Sequence, residues 1–328
     1  MKNSIKKIAV LTSGGDAPGM NAAIRAVVRS CVYHNIACVG VFRGYEGLIE
    51  GDFTALDARS VKNIINKGGT FLKSARSKEF KTPQGREKAY KNLKQHQIDA
   101  LVVIGGDGTF NGAIVFNNEF DFPIVGLPGT IDNDINGTDF TIGYDTALNT
   151  VIEAIDKIRD TAISHSRLFL IEVMGRDAGD IALNAGIGAG AEEILIPELD
   201  MGKERLLSSL KRSKKSGKSS SIVVVSEGDQ IGKNIFGLAS YIQENLEDYE
   251  CKVTVLGHIQ RGGSPSCFDR VLASRLGVGA IDALLAGKRE VMIGLVHNKV
   301  VPIDLKESLK GSNKIDSDLI RVADIISI

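Results

Sequence analysis

The sequence predicts an α/β fold of two lobes, each a mostly parallel sheet flanked by helices. Short Val- and Ile-rich runs alternate with longer amphipathic segments, as βα units around a parallel sheet do. The chain has 328 residues, 43% of them hydrophobic, a length that suits about two globular cores. Several apolar runs end in glycine or a polar loop, and open α/β sheets bind ligands at those carboxyl ends.

Strands are expected at residues 8–11, 36–42, 100–104, 124–127, 168–173, 222–225, 252–256 and 292–296. The clearest helix covers 145–164. Leu148, Val151, Ile152, Ile155 and Ile158 form its apolar stripe, and Asn149, Glu153, Asp156 and Asp160 form the opposite face. It opens the second lobe. The segment 211–221, KRSKKSGKSSS, reads as a solvated helix end and loop.

The 40 basic and 40 acidic side chains cancel, so no whole-chain field attracts nucleic acid or an anionic membrane. A phosphate ligand must be met by local clusters. The N-terminal apolar run, residues 8–11, is too short for a signal peptide core or a membrane span. The four cysteines form no CxxC pair and the five histidines no metal-ligand spacing, so a cytoplasmic protein with free thiols and no zinc is expected.

The stretch LPGTIDND, residues 127–134, places phosphate chemistry on one turn. Pro128 and Gly129 end an apolar run, Thr130 offers a hydroxyl, and the spacing of Asp132 and Asp134 lets one carboxylate meet a substrate and the other a cation. Two glycine turns also follow expected strands. TSGGDAPGMN presents backbone N–H groups and a helix N-terminus to an anion, although Met20 and Asn21 stand where a P-loop needs Lys and Ser or Thr. The alternative is close packing of strand on helix. IGGDGT, residues 104–109, sets Asp107 among glycines, where a carboxylate would repel a nucleotide unless Mg²⁺ bridged the two; an ordinary Asp-Gly turn is the competing reading. Arg76, Arg167, Arg176 and Arg261 lie among small and polar residues and suit either phosphates or salt bridges. Glu227 reads as a loop cap or a sugar-hydroxyl acceptor, and His258 as a loop hydrogen bonder or a phosphate donor.

Taken in order, TSGGDAPGMNAAIR, GGTFLKSAR, IGGDGT, LPGTIDND, IEVMGRDAG and VLGHIQRGGSP closely resemble the bacterial ATP-dependent 6-phosphofructokinase family from residue 8 to about 287. The resemblance implies two Rossmann-like lobes: an ATP lobe of 1–143 plus about 258–303, and a fructose 6-phosphate lobe of about 144–257 plus 304–328. It implies that Asp132 is the base that takes the proton of the sugar's 1-hydroxyl, with Thr130 and Arg176 steadying the phosphoryl group. Asp107, supported by Asp134, would hold Mg²⁺. The ATP side would comprise Gly15, Arg76, Ser77, Gly106, Asp107, Gly108 and Thr109. The sugar side would comprise Thr130, Ile131, Asp132, Met174, Gly175, Arg176, Glu227, His258, Ile259, Gln260 and Arg261, with Arg167 and Lys252 reaching in from a neighbouring subunit of a homotetramer. Phosphoryl transfer asks mainly for positioning and charge neutralisation, which suits this residue set.

Gly108 and Gly129 stand where pyrophosphate-using relatives tend to carry Asp and Lys, so ATP is the expected donor. Lys252 replaces the family's usual arginine and loses its bidentate fork. The effector site of ADP or phosphoenolpyruvate looks partly kept. Arg25, Arg29, Arg159, Gly190, Glu192 and Lys218 match, whereas Ala58 and Ser216 replace basic residues, so weakened regulation is expected. The competing functions are a pyrophosphate-dependent phosphofructokinase, another GGDGT kinase acting on NAD or a lipid, and a non-catalytic nucleotide sensor. The second leaves TIDND, MGR and HIQRGG without a reason, and the third leaves Asp132 without one.

Overall fold

Two β-sheets of unequal size organise the chain in the computed structural model, which describes residues 5–163, 167–215, 221–246, 250–311 and 315–326. The chain divides into a first unit of Met1–Thr146 with Arg261–Asn313 and a second of Ala147–Gln260 with Lys314–Ile328.

The first unit holds a seven-stranded sheet in the order β11-β10-β5-β4-β1-β2-β3. Its centre is β1 (Lys7–Thr12), β4 (Ala100–Gly105) and β5 (Ile124–Pro128), paired in parallel, and every residue of β4 and β5 is buried. Near-continuous apolar runs take this place because both faces of a parallel sheet are covered. β2 (Ala37–Val41) and β10 (Val291–Val296) extend the parallel set, and β3 (Phe53–Leu56) and β11 (Lys299–Asp304) close the edges antiparallel. The unit's helices are α1 (Met20–Tyr33), α2 (Gly44–Glu50), α3 (Pro83–Gln95), α4 (Asp107–Phe120), α9 (Cys267–Leu285) and α10 (Leu305–Ser308).

The second unit's sheet is parallel throughout, in the order β7 (Glu193–Leu195), β8 (Ser221–Ser226), β6 (Arg167–Val173), β9 (Glu250–Val255). Its helices are α5 (Tyr144–Ile163), which begins three residues inside the first unit, then α6 (Asp180–Gly188), α7 (Lys203–Lys215), α8 (Ile235–Asn245) and α11 (Ser317–Ile326). Leu168, Leu170, Val223, Val225, Leu206, Leu210 and Ile242 form its core.

Three strands escape a reading by apolar run. β7 has only three residues, and the edge strands β3 and β11 mix polar residues into short antiparallel pairings. The expected return to the second lobe at 304 also comes about ten residues later. Leu305 is 1% exposed in the first unit's core, and Asn136 N–H donates to the Ser308 carbonyl at 3.1 Å, so 304–313 stays with the first unit.

The start of α5 is tied to α9 through Asp269, which is fully buried. Its carboxylate accepts from Gly143 N–H at 2.8 Å, Thr146 N–H at 2.8 Å and Thr146 Oγ1 at 2.5 Å, while Ser266 caps α9 by accepting from Asp269 N–H. Burial outweighs these donors and pushes the carboxyl from 3.8 up to about 6, with the Asp145 charge adding to the rise. Between those values the folded state holds a proton that the unfolded chain has released, so the stability contributed here falls as pH rises through that window. We expect the wild-type advantage in unfolding free energy over Asp269→Asn to shrink by on the order of 3 kcal/mol from pH about 4 to about 6. Urea unfolding of both proteins across that range measures it, and a difference that stays level would contradict the burial argument.

Candidate active site

Because β5, β4 and β1 are neighbours in parallel, their carboxyl ends release three turns side by side. Two backbone bonds and one from a threonine hydroxyl then lock the turns together. Ser13 N–H donates to Ile104 O at 3.0 Å, Gly129 N–H donates to Gly105 O at 3.0 Å, and Thr109 Oγ1 donates to Ser13 O at 3.1 Å. Gly105 sits where they meet. A Cβ there would lie 2.3 Å from Thr109 Oγ1 and 2.4 Å from Ser13 O, so only glycine lets the turns approach this closely.

Two helices start from these turns with no side-chain cap: α1 after Gly19, which has φ 108°, and α4 after Gly106. Met20 N–H donates to Ala17 O at 3.2 Å and Thr109 N–H to Gly106 O at 2.9 Å, and each helix directs the positive end of its dipole at these turns. Asp107 is the first residue of α4, and a Cβ on Gly108 would meet nothing within 4 Å. Tyr45 braces the turn from behind, its hydroxyl donating to Thr109 O at 2.6 Å and its ring stacking on Phe80 at 4.0 Å. Ser77 Oγ accepts from Phe80 N–H at 3.1 Å, and Arg76 is exposed. Gly15 lies under the Arg261 guanidinium: a Cβ there would be 2.6 Å from Nη1, and Nη1 donates to Asp16 O at 3.3 Å. Arg261 is thus seated on the first glycine turn.

In the LPGTIDND loop, Thr130, Ile131 and Asp132 are all buried. Thr130 Oγ1 accepts from Asp132 N–H at 3.3 Å and faces Asp132 Oδ2 at 3.4 Å. Asn133 adopts φ 53°, turning the chain sharply after the acid, and Asp134 is half-buried. A brace that sequence reading missed holds this turn. Thr141 Oγ1 donates to Thr130 O at 2.6 Å, Thr141 N–H donates to Asn133 Oδ1 at 2.9 Å, and Ile142 N–H donates to Pro128 O at 2.8 Å. Thr141 lies outside every motif, and its only sequence signal is a β-branched residue in the polar run before α5. Gly129 is also tight, with a Cβ 3.0 Å from Ile104 Cγ2 and 3.1 Å from Met20 Cε.

Within the second unit, the turn after β6 gathers another set. Gly175 and Arg176 take successive positive φ values of 140° and 51°. Such strain concentrates at functional turns. Arg176 is exposed, and its N–H donates to Glu227 Oε1 at 2.9 Å. A Cβ on Gly228 would lie 2.0 Å from Arg176 O, so Glu227 and Arg176 approach across a glycine. Burial raises the carboxyl of neighbouring Glu172, and the Glu227 charge adds to the rise. Met174 is half-buried, and its N–H donates to Oε1 of fully buried Gln260 at 3.2 Å; His258 and Ile259 are exposed on the same short helix, Gly257–Arg261. Glu250 bridges Lys252 Nζ at 2.6 Å and Arg167 Nε at 2.7 Å. Those two cations, Lys252 foremost, pull its carboxyl down to about 2.

The residues matched to the effector site fall in both units. On α1, burial and then the charge of Arg29 lower the Arg25 value. In the second unit, Arg159 Nη2 donates to Ala189 O at 2.6 Å and Gly190 O at 2.9 Å, with Gly190 at φ 63°. Glu192 is 7% exposed and accepts from Ile222 N–H at 2.6 Å. Ala58 is exposed. Lys218 and Ser216 lie outside the described residues.

The phosphofructokinase family model matches residues 7–284. An ATP-dependent 6-phosphofructokinase 2 of Bacteroides thetaiotaomicron is 52% identical over 99% of both chains. An ATP-dependent 6-phosphofructokinase of Halalkalibacterium halodurans is 56% identical over 99% of this chain and 100% of that one. Among solved structures, phosphofructokinase from Saccharomyces cerevisiae superposes with a TM-score of 0.88 at 38% identity, over 98% of this chain and 48% of the yeast chain. The chain therefore spans about half the length of that fungal subunit. A pyrophosphate-dependent phosphofructokinase from Marinobacter aquaeolei has a TM-score of 0.84 at 23% identity, over 98% of this chain and 91% of that one, a likeness of fold.

Gly105 and Gly108 offer a paired test of the turn geometry. Gly105→Ala should destabilise the protein by about 1–3 kcal/mol through overpacking and weaken nucleotide binding. Gly108→Ala, in the open first turn of α4, should leave stability level or raise it by about 0.4–1 kcal/mol. Thermal unfolding of the two variants decides it, and equal effects would contradict the packing at Gly105.

Proposed function

Because the chain belongs to the phosphofructokinase family, we propose that it transfers the γ-phosphoryl group of ATP to the 1-hydroxyl of fructose 6-phosphate, giving fructose 1,6-bisphosphate and ADP in glycolysis. The observation that carries the reading is the LPGTIDND turn. A buried carboxylate, Asp132, is fixed beside the Thr130 hydroxyl on a loop that is hydrogen-bonded to the glycine turn opening α4.

Asp132 accepts the proton of the attacking hydroxyl, and Thr130 and Arg176 steady the phosphoryl group as charge spreads over its oxygens. The N-terminus of α4, with Gly15, Arg76, Ser77 and the turn 106–109, takes the nucleotide phosphates. Arg176, Glu227, His258 and their neighbours on the second unit, with Met174 and Gly175, take the sugar phosphate. Arg167 and Lys252 serve a neighbouring subunit of a homotetramer, so a monomer lacks a full sugar site. Glu250 already holds these two cations close together, which supports their acting as a pair.

Among the described residues, no cluster of three His, Cys, Asp or Glu side chains could cage a metal ion. Mg²⁺ is usually held by one or two carboxylates, water and substrate phosphates. Asp107, at the mouth of the glycine turn, with Asp134 in support, would hold it, and the ion would there neutralise charge on the nucleotide phosphates. An effector such as ADP or phosphoenolpyruvate would draw on Arg25, Arg29, Arg159, Gly190 and Glu192, and a cytoplasmic setting agrees with the glycolytic relatives. No helix among the described residues is long and apolar enough to cross a membrane.

ATP is favoured over pyrophosphate by the full-length relatives named for ATP and by two glycines. The open space at Gly108 is the room a nucleotide needs, and Gly129 is packed against Ile104 and Met20 too closely for a larger residue to enter without displacement.

Asp132→Ser should lower turnover by about 10²–10⁴ while changing the KM for fructose 6-phosphate much less. Steady-state kinetics check it, and near-normal turnover would remove Asp132 from the role of base. For the donor, a coupled assay should give fructose 1,6-bisphosphate with ATP and none with pyrophosphate, and the reverse pattern would move the chain to the pyrophosphate-dependent class.

A further inference from the structure

Gln260 is the one side chain of the HIQRGG segment that cannot face a ligand: it is fully buried, and both ends of its amide are committed. Oε1 accepts from Met174 N–H at 3.2 Å, and Nε2 donates to Gly257 O at 3.0 Å. The two partners belong to different turns. Met174 begins the turn after the central strand β6, and Gly257, at φ 51°, begins the short helix after the edge strand β9.

On its other side the β6 turn is held by β8. Glu227 N–H donates to Val173 O at 3.0 Å, and Arg176 N–H returns a bond to Glu227 Oε1 at 2.9 Å. Leu256 N–H closes the β9 side on Glu172 O at 3.1 Å. The strained pair Gly175–Arg176 is thus clamped from both neighbouring strands, with Gln260 supplying a side-chain bond on the β9 side. The β6–β9 ladder ends at Glu172 and Val255, so past the Leu256 bond to Glu172 the ladder itself no longer sets one turn against the other. A buried amide with matched donor and acceptor does so, and removing one end leaves a buried polar group unsatisfied.

We propose that Gln260 is a positioning residue for sugar-phosphate recognition, setting the His258 turn in register with the Met174–Arg176 turn without touching the substrate. The inference rests on the reading that these turns bind fructose 6-phosphate, and it reassigns Gln260 from contact to support. A glutamine is suited to this task because it bridges an N–H and a C=O at once. A glutamate can do so only when protonated, as O–H donor to Gly257 O and carbonyl acceptor from Met174 N–H, and burial favours that neutral form.

The test uses the full chain with Gln260→Met and Gln260→Glu, measuring kcat, both KM values and their pH dependence against wild type. Gln260→Met should raise the KM for fructose 6-phosphate by about 10-fold or more, leave the KM for ATP within about twofold, and behave alike at every pH. Gln260→Glu should show a smaller defect that closes toward wild type as pH falls, a rescue that a packing role would not give. Equal changes in both KM values, or an unchanged KM for the sugar phosphate with only a lower melting temperature, would overturn the proposal while leaving the parent reading intact. A wild-type chain without fructose 6-phosphate kinase activity would overturn both.

Discussion

Everything in the proposed nucleotide site depends on how closely three strand ends can approach. Parallel pairing of β5, β4 and β1 brings their exits together, but the turns interlock only because the backbone at Gly105 carries no side chain. Thr109 then bonds Ser13 and Gly129 bonds Gly105. The result is a rigid frame in which α1 and α4 begin without side-chain caps. The positive dipole ends of these helices are the polar resource that a phosphate chain needs, held at fixed positions by backbone rather than by flexible side chains.

The second unit solves a different problem with a related device. Its sheet is smaller, and the chemistry-bearing turn leaves the central strand through two residues in strained conformations. Such a turn persists only if its surroundings over-determine it. Glu227 supplies this from the β8 side, through its own backbone and its carboxylate, and Gln260 supplies it from the β9 side. Cations are managed separately, with Glu250 keeping Arg167 and Lys252 adjacent at the sheet edge.

Much of this was legible in the sequence because glycine turns and apolar runs are local signals. The buried strands of both sheets and the long helix α5 follow from periodicity, and TIDND and GGDGT announce their acids. What stayed hidden depends on contacts made at a distance. Thr141 secures Thr130 from eleven residues away, and no pattern marks it. Gln260 sits inside a motif whose neighbours read as ligand contacts, and only its burial reveals that its amide is spent on the protein. The continuation of the first unit through 304–313 turned on one leucine, Leu305, entering a core assembled by residues far earlier in the chain.

The central claim is that the interlocked turns, rather than any side-chain cluster, hold the phosphates. A crystal structure with Mg²⁺ and a non-hydrolysable ATP analogue tests it most directly. The β- and γ-phosphate oxygens should accept hydrogen bonds from backbone N–H groups of the 106–109 turn and the first glycine turn, with the Asp107 carboxylate facing the metal. Phosphates bound away from both turns, or an Asp107 directed away from the metal, would contradict it.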